Sequence, residues 1–289
     1  MKAVPFTLLC FISFTTLRAQ SLHSLLTQTW ENGTWQNSTL ETFTNDSVNA
    51  TSMQITQRWS PASNAWVNSR KWVSNNNGER RELNGIGTEW DSLTGAWKNT
   101  AQVVDNYGDN KKLTSYLIRK WVSGNWEDSC KRSFYYDSKG GISKLTEQRW
   151  NATKHTWDNA IMFNYKGAKS GYRDYTGFKW DTTQAGWRKV EKQHYTLDGK
   201  GLCTIQTGWY NRHGHWLNNT KSQLTYNAND KLTQVNGQTW KRKKHQWVTT
   251  YLHSYTYNTS GERATETVER LNKKDGTLKS KQMTTYSYL

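Results

Sequence analysis

Proline, cysteine and aliphatic side chains are all scarce in this 289-residue chain. It has two prolines, and Pro61 is the only one beyond the N-terminal segment, which excludes a collagen-like or polyproline chain. Of three cysteines, Cys10 lies near the N-terminus, leaving Cys130 and Cys203, too few for a disulfide framework. A bridge between those two requires a fold that brings their strands together. The extended apolar run, Val4 to Leu17, is too short to span a bilayer. Preceded by Met1-Lys2 and followed by Arg18-Ala19-Gln20, it reads as a secretory signal over residues 1–19. The mature chain then begins near Gln20 and carries no membrane span. No metal, cofactor or nucleotide motif stands out from the background.

Hydrophobic residues make up only 34% of the chain, yet there are 17 tryptophans and 15 tyrosines. Disordered chains are poor in aromatics, and here the aromatics recur at fixed intervals. Tryptophans come in pairs: Trp30/Trp35, Trp59/Trp66, Trp90/Trp97, Trp121/Trp126, Trp150/Trp157, Trp180/Trp187, Trp209/Trp216 and Trp240/Trp247. First members are 29 to 31 residues apart, and Leu271/Leu278 stand where a ninth pair belongs. Trp72 alone falls outside the scheme.

Four or six residues separate the two members of a pair, so they can face each other across an antiparallel hairpin. Asn32-Gly33 supplies a type I′ turn inside the first pair, and Ser123-Gly124 takes the same place in the fourth. Each repeat is therefore a hairpin clamped near its tip by two rings. Eight or ten residues after the second Trp comes another aromatic, as in Phe43, Tyr107, Tyr136, Tyr226 and Tyr257. In an unbroken strand these even offsets place them on the same face as the Trp pair. Gly/Asn/Asp turns then lead into the next strand.

The fold expected is all-β: tandem antiparallel β-hairpins of about 30 residues across residues 20–289, with 17 or 18 strands. Open sheets rarely exceed about ten strands without curling, so the expectation is a long curved or superhelical meander. A membrane barrel needs an apolar lipid-facing ladder on every strand. The strand centres here are polar on both faces, which argues against one.

Tyr136-Asp137-Ser138-Lys139-Gly140 resembles the YD repeats of Rhs-type proteins, whose hairpin strips wind into spirals or shells. Pieces such as Gly208-Trp209-Tyr210 resemble the Trp/Tyr repeats of choline-binding and toxin cell-surface modules, where aromatics of neighbouring hairpins build ligand sites. Over the mature chain the sequence is most similar to uncharacterised exported β-repeat proteins of Bacteroidetes, which implies an exported protein of the periplasm, outer-membrane surface or medium.

Function is far less legible than fold. Asn follows the second Trp by two residues in five repeats, giving Trp97/Asn99, Trp157/Asn159 and Trp216/Asn218 as candidate sugar-stacking sites, ring beside amide. The same rings also serve to hold hairpins together, because little else is apolar. Lys241-Arg242-Lys243-Lys244 is the densest point of a basic excess, formally +16, with Lys111-Lys112 and Lys273-Lys274 as lesser points. It suits an acidic polysaccharide or anionic cell-surface polymer, while export argues against nucleic acid. His213 and His215 form a His-x-His without an identifiable third metal ligand. The leading expectation is a non-enzymatic protein that binds glycan or cell-surface polymer multivalently. Its competitors are a scaffold with every Trp in the core and, third, a glycan hydrolase.

Overall fold

The computed structural model describes residues 22–76, 82–169, 172–272 and 274–288. The expected signal peptide and Lys273 lie outside the described residues. Eighteen strands follow one another: β1 (Leu22–Glu31), β2 (Thr34–Asp46), β3 (Thr51–Ser60), β4 (Ala65–Asn76), β5 (Glu82–Asp91), β6 (Ala96–Tyr107), β7 (Leu113–Val122), β8 (Asn125–Tyr136) and β9 (Ile142–Asn151). The second half comprises β10 (Thr156–Lys169), β11 (Tyr172–Asp181), β12 (Gly186–Leu197), β13 (Cys203–Arg212), β14 (His215–Tyr226), β15 (Leu232–Lys241), β16 (Gln246–Tyr257), β17 (Arg263–Leu271) and β18 (Leu278–Tyr288). The only helical piece among the described residues is a 3₁₀ turn at Arg242–Lys244.

Each strand pairs antiparallel with its sequence neighbours, and β18 pairs with β1 from Leu22↔Tyr288 to Thr29↔Gln282. That last ladder corrects the expected open, superhelical meander: the sheet is a closed up-and-down barrel. Closure removes the two free edges, each a row of unpaired backbone donors and acceptors, that an open array would expose. Barrels of this strand number enclose an aqueous channel rather than a packed interior. Accordingly, Cys203 and Val268 are the only buried apolar side chains among the described residues.

Seven Trp pairs and Leu271/Leu278 stand directly opposite each other in the tip hairpins. Their ring centroids lie 4.9–5.2 Å apart in edge-to-face geometry. Such pairs contribute roughly 0.5–1.5 kcal/mol each beyond burial. The seventh repeat departs from this pattern. His213-Gly214, both at positive φ, makes a two-residue turn, whereas the spacing was expected to set Trp209 opposite Trp216. The register therefore slips, and Trp209 faces Asn218 while Trp216 faces Asn211.

Every tip hairpin carries a β-bulge three residues after the second Trp, or after Leu278 in the ninth. The residues left over are Ser38, Ser69, Thr100, Ser129, Ala160, Val190, Asn219, Thr250 and Lys281. One extra residue inverts the alternation beyond it. Aromatics eight and ten residues after the Trp thus lie on the face opposite the Trp pairs, correcting the same-face expectation. Five of them act as latches: the hydroxyls of Tyr107, Tyr136, Tyr226, Tyr257 and Tyr288 donate to the carbonyls of Glu82, Leu113, Cys203, Leu232 and Arg263, at 2.6–3.0 Å.

Register and chirality assign the two faces. Following paired residues once around the barrel advances β1 by about 18 residues toward its C-terminal end, a shear roughly equal to the strand number, giving a radius of ~16 Å. The strands of a barrel tilt in the right-handed sense that L-residues impose. With Glu31 and Thr34 as the hydrogen-bonded pair flanking a type I′ turn, that sense of advance places the Trp pairs outside. Crowding agrees, since side chains converge on a concave wall. Ser74, Glu147, Val268 and Thr284, four of the most buried residues, sit on the opposite, inward face.

Left-handed backbone at the tips yields a stability test. Ala185 holds φ 48° and Gly33 φ 82°, a region that disfavours any Cβ. Ala185→Gly is expected to raise stability by ~0.5 kcal/mol and Gly33→Ala to lower it by ~1 kcal/mol, read from urea midpoints at constant m-value.

Candidate functional site

The closed barrel turns the Trp/Asn motif into a belt around one end of the outer wall. Trp97 packs on Trp90, with the Lys71 ammonium 4.8 Å from its ring centroid. Trp157 packs on Trp150, and the neighbouring Asn159 amide oxygen accepts from Gln148 Nε2 at 3.3 Å. Trp216 lacks that partner because of the register slip. The Lys192 ammonium takes its place, 5.0 Å from the Trp216 centroid and 4.6 Å from that of Trp209.

Cross-strand pairing sorts these residues into three rows. Lys71 pairs with Thr88, which pairs with Asn99. Lys131 pairs with Gln148, which pairs with Asn159. Lys192 pairs with Trp209, which pairs with Asn218. In each row a lysine lies two strands, about 10 Å, from the asparagine beside the predicted Trp. The three cassettes, on β4–β6, β8–β10 and β12–β14, recur every fourth strand, about 20 Å apart. They form no common pocket. Elsewhere the asparagines lack a lysine: Asn37 is in row with Gln28 and Met283, and Asn68 with Gln57 and Leu40.

The second predicted feature sits apart from this belt. Lys241 ends β15, Arg242, Lys243 and Lys244 form the 3₁₀ turn at the eighth tip, and all four are exposed. None makes an ion pair among the described residues. His213 and His215 also lie at a tip. No group of three or more His, Cys, Asp or Glu among the described residues is arranged to hold a metal. Cys130 on β8 and Cys203 on β13 are free and far apart around the barrel, with burial pushing the Cys130 thiol up to about 11.

The inner wall carries chemistry that the repeat pattern conceals. Glu147 receives both Nε and Nη2 of Arg132 on one oxygen, at 3.0 and 2.8 Å. Glu266 joins His253 Nδ1 at 2.8 Å and accepts from the Tyr286 hydroxyl at 3.1 Å, and the His253 contact holds its carboxyl below the usual range. On the wall of β2–β6 Glu89 pairs with Arg70 at 3.5 Å and Asp91 with Lys98 near the tips, whereas three carboxylates further from the tips have no cationic partner among the described residues. Glu41 accepts only from Gln54, at 2.7 Å, and burial raises its pKa. Glu82, with Ser74 and Trp72 beside it, is likewise raised by burial. Asp105 is pushed up to about 6 by burial and then by the nearby Glu82 charge. Trp72 was the one signal in the sequence that could have found this patch.

No family model matches the chain, and no curated protein does. Among solved structures, a porin-like protein from Bacteroides uniformis aligns over 94% of this chain and 99% of its own, at 8% identity and TM-score 0.46. A protein of unknown function from Bacteroides fragilis covers 42% and 91%, at 16% identity and TM-score 0.37. A DUF3836 family protein from Bacteroides vulgatus covers 30% and 90%, at 20% identity and TM-score 0.27. At these scores the likenesses carry no functional argument. No helix among the described residues is long and apolar enough to cross a membrane, which leaves open what the strands do.

Asp105 makes the lumen sensitive to pH. Its folded-state pKa, about 6, exceeds the ~3.9 of an unfolded aspartate. The folded chain therefore holds this proton more tightly, and the penalty for ionised Asp105 is present above pH 6 and disappears as pH falls toward 4. Asp105→Asn is expected to stabilise the protein by ~1 kcal/mol at pH 7, after discounting for solvent, and by nothing measurable at pH 4. Urea unfolding of both proteins at the two pH values checks this.

Proposed function

We propose that this is an exported, non-enzymatic barrel that binds an anionic glycan or cell-surface polymer multivalently along its outer wall. The observation that carries the reading is the threefold recurrence of Trp, Asn and Lys in matching cross-strand rows. Each cassette sets side by side a ring, an amide suited to hydroxyl groups and an ammonium suited to a carboxylate or sulfate, and in two of them the ammonium lies on the ring. One cassette binds weakly. Three at intervals of about 20 Å engage a long chain with far greater avidity than any single contact. Outward rows further from the tips carry Lys71, Lys131, Lys192 and Lys221, which suits a water-exposed wall and a polyanion.

The test is binding of the mature protein to immobilised dextran sulfate and to neutral dextran at 0.05 and 0.5 M NaCl. Dextran sulfate is expected to bind and neutral dextran not. The triple variant Lys71→Ala/Lys131→Ala/Lys192→Ala is expected to lose at least a hundredfold in affinity, and Asn99→Ala/Asn159→Ala/Asn218→Ala about tenfold. Lys241→Ala/Lys243→Ala/Lys244→Ala, which strips the eighth tip, is expected to bind almost as the parent does. Loss of binding through the tip variant instead, or full binding by the first triple variant, would discard the cassette reading.

A further inference from the structure

We infer that the inner wall holds a second, single binding site, built on Trp72, for one end or one unit of a neutral saccharide. It does not depend on the outer belt, from which the barrel wall separates it.

Trp72 differs from every other tryptophan in sequence and in space. It stands six residues after Trp66, past the bulge at Ser69, so it points inward while the paired tryptophans point outward. Gly87 is its direct cross-strand partner, and Gly85 lies two residues further along the same face. A Cβ at Gly85 would come within 2.6 Å of Trp72 Cε2, and one at Gly87 within 3.0 Å of Cε3. Both rings of the indole therefore lie flat on a strand stripped of side chains. The Trp72 Nε1–H donates to Ser74 Oγ at 2.8 Å, with the Glu82 carboxylate beside both, so the ring is fixed in that orientation.

The opposite face of the indole is turned away from that strand. Among the described residues no ring or cation stacks on it. A rigid indole face in water is suited to the axial C–H face of a pyranose. Beside it are Glu82 and, next to Glu82, Asp105, which has no hydrogen-bond partner among the described residues; Gln54, the other cross-strand partner of Trp72, donates to Glu41. Carboxyl oxygens accept from vicinal sugar hydroxyls, completing the pair of contacts that ring stacking alone lacks. The described turns, of two to six residues, are short against a barrel radius of ~16 Å.

A bland account exists for the ring alone: an aromatic covering a cross-strand glycine supports the sheet, as Tyr251 does over Gly237. Tyr251 differs in having its hydroxyl tied to Ser222 and His253 beside its ring. On Trp72, among the described residues, nothing stacks on the second ring face, and Asp105 nearby has no hydrogen-bond partner.

The experiment titrates the folded, mature barrel with cellotetraose, chitotetraose and laminaritetraose by calorimetry, at 0.15 and 1 M NaCl. In parallel, ¹⁵N-indole spectra follow the Trp72 signal, assigned by its disappearance in Trp72→Phe. At least one probe is expected to bind with one site per chain, unchanged by salt, and to shift the Trp72 signal. Asp105→Asn is expected to weaken it about tenfold, and Trp72→Ala to abolish it. Lys71→Ala/Lys131→Ala/Lys192→Ala, which disables the outer belt, is expected to leave it intact. Asp105→Asn, isosteric and on a half-exposed group, keeps the test informative if Trp72→Ala fails to fold. The inference is overturned if no probe binds at millimolar concentration, if binding leaves the Trp72 signal in place, or if Asp105→Asn binds as the parent does. Binding that is lost with the outer lysines would also overturn it.

Discussion

One inserted residue per repeat governs this molecule. Without the bulge after each second Trp, the strands would alternate without interruption and all the aromatics of a repeat would gather on one face. With it, the tip rings point out and the base rings point in. Bulges also add local twist and bend their strand, and nine of them at one height curl the sheet evenly. Even curling lets β18 arrive beside β1 in register. The bulge therefore sets both the distribution of side chains and the closure of the sheet.

A barrel of this width has almost no apolar core to stabilise it, and its cohesion is spread along the wall. Every strand is saturated by two neighbours, so no segment can leave without exposing two ladders of hydrogen-bonding groups. Seven of the nine tip hairpins are fastened at one end by an edge-to-face Trp pair, and five at the other by a tyrosine hydroxyl on the opening carbonyl of the partner strand. Inward ion pairs such as Arg132–Glu147 tie neighbouring hairpins together. These are nearest-neighbour interactions, as in an open repeat array. Closure adds one more interface and removes the need for capping repeats.

The periodic part of this structure was legible in the sequence because it is local. Spacing alone located the tip hairpins, the opposed Trp pairs and the degenerate Leu271/Leu278 pair. The bulge was not legible, because the left-over residue has no common chemistry: serine, threonine, alanine, valine, asparagine and lysine all occupy it. Its position is set by the partner strand, which a single sequence does not reveal. The slip at the seventh tip escaped for a similar reason: six residues between Trp209 and Trp216 fit either a four-residue loop or the His213-Gly214 turn. Closure was hidden because it depends on the register accumulated over all eighteen ladders, to which no single repeat bears witness. The candidate Trp and Asn were grouped by spacing, whereas the lysines completing their rows come from the preceding repeat and needed the pairing to be seen.

The two faces of the wall follow different rules, and this difference shapes what each can bind. Outward positions near the tips repeat because every hairpin needs the same clamp, so any chemistry placed there is copied around the circumference and suits a polymer. Inward positions beyond the bulge are released from the clamp and diverge from repeat to repeat. At the third position before the first Trp, or before Leu271 in the ninth repeat, glycine stands in three repeats, threonine in two, and glutamate, glutamine, isoleucine and valine in one each. A unique arrangement such as Trp72 on two glycines can arise only there. A repeat protein ordinarily divides its residues too evenly to build a singular site. By inverting half of each strand, this one keeps a repetitive exterior for avidity and a varied interior in which a single site can be assembled.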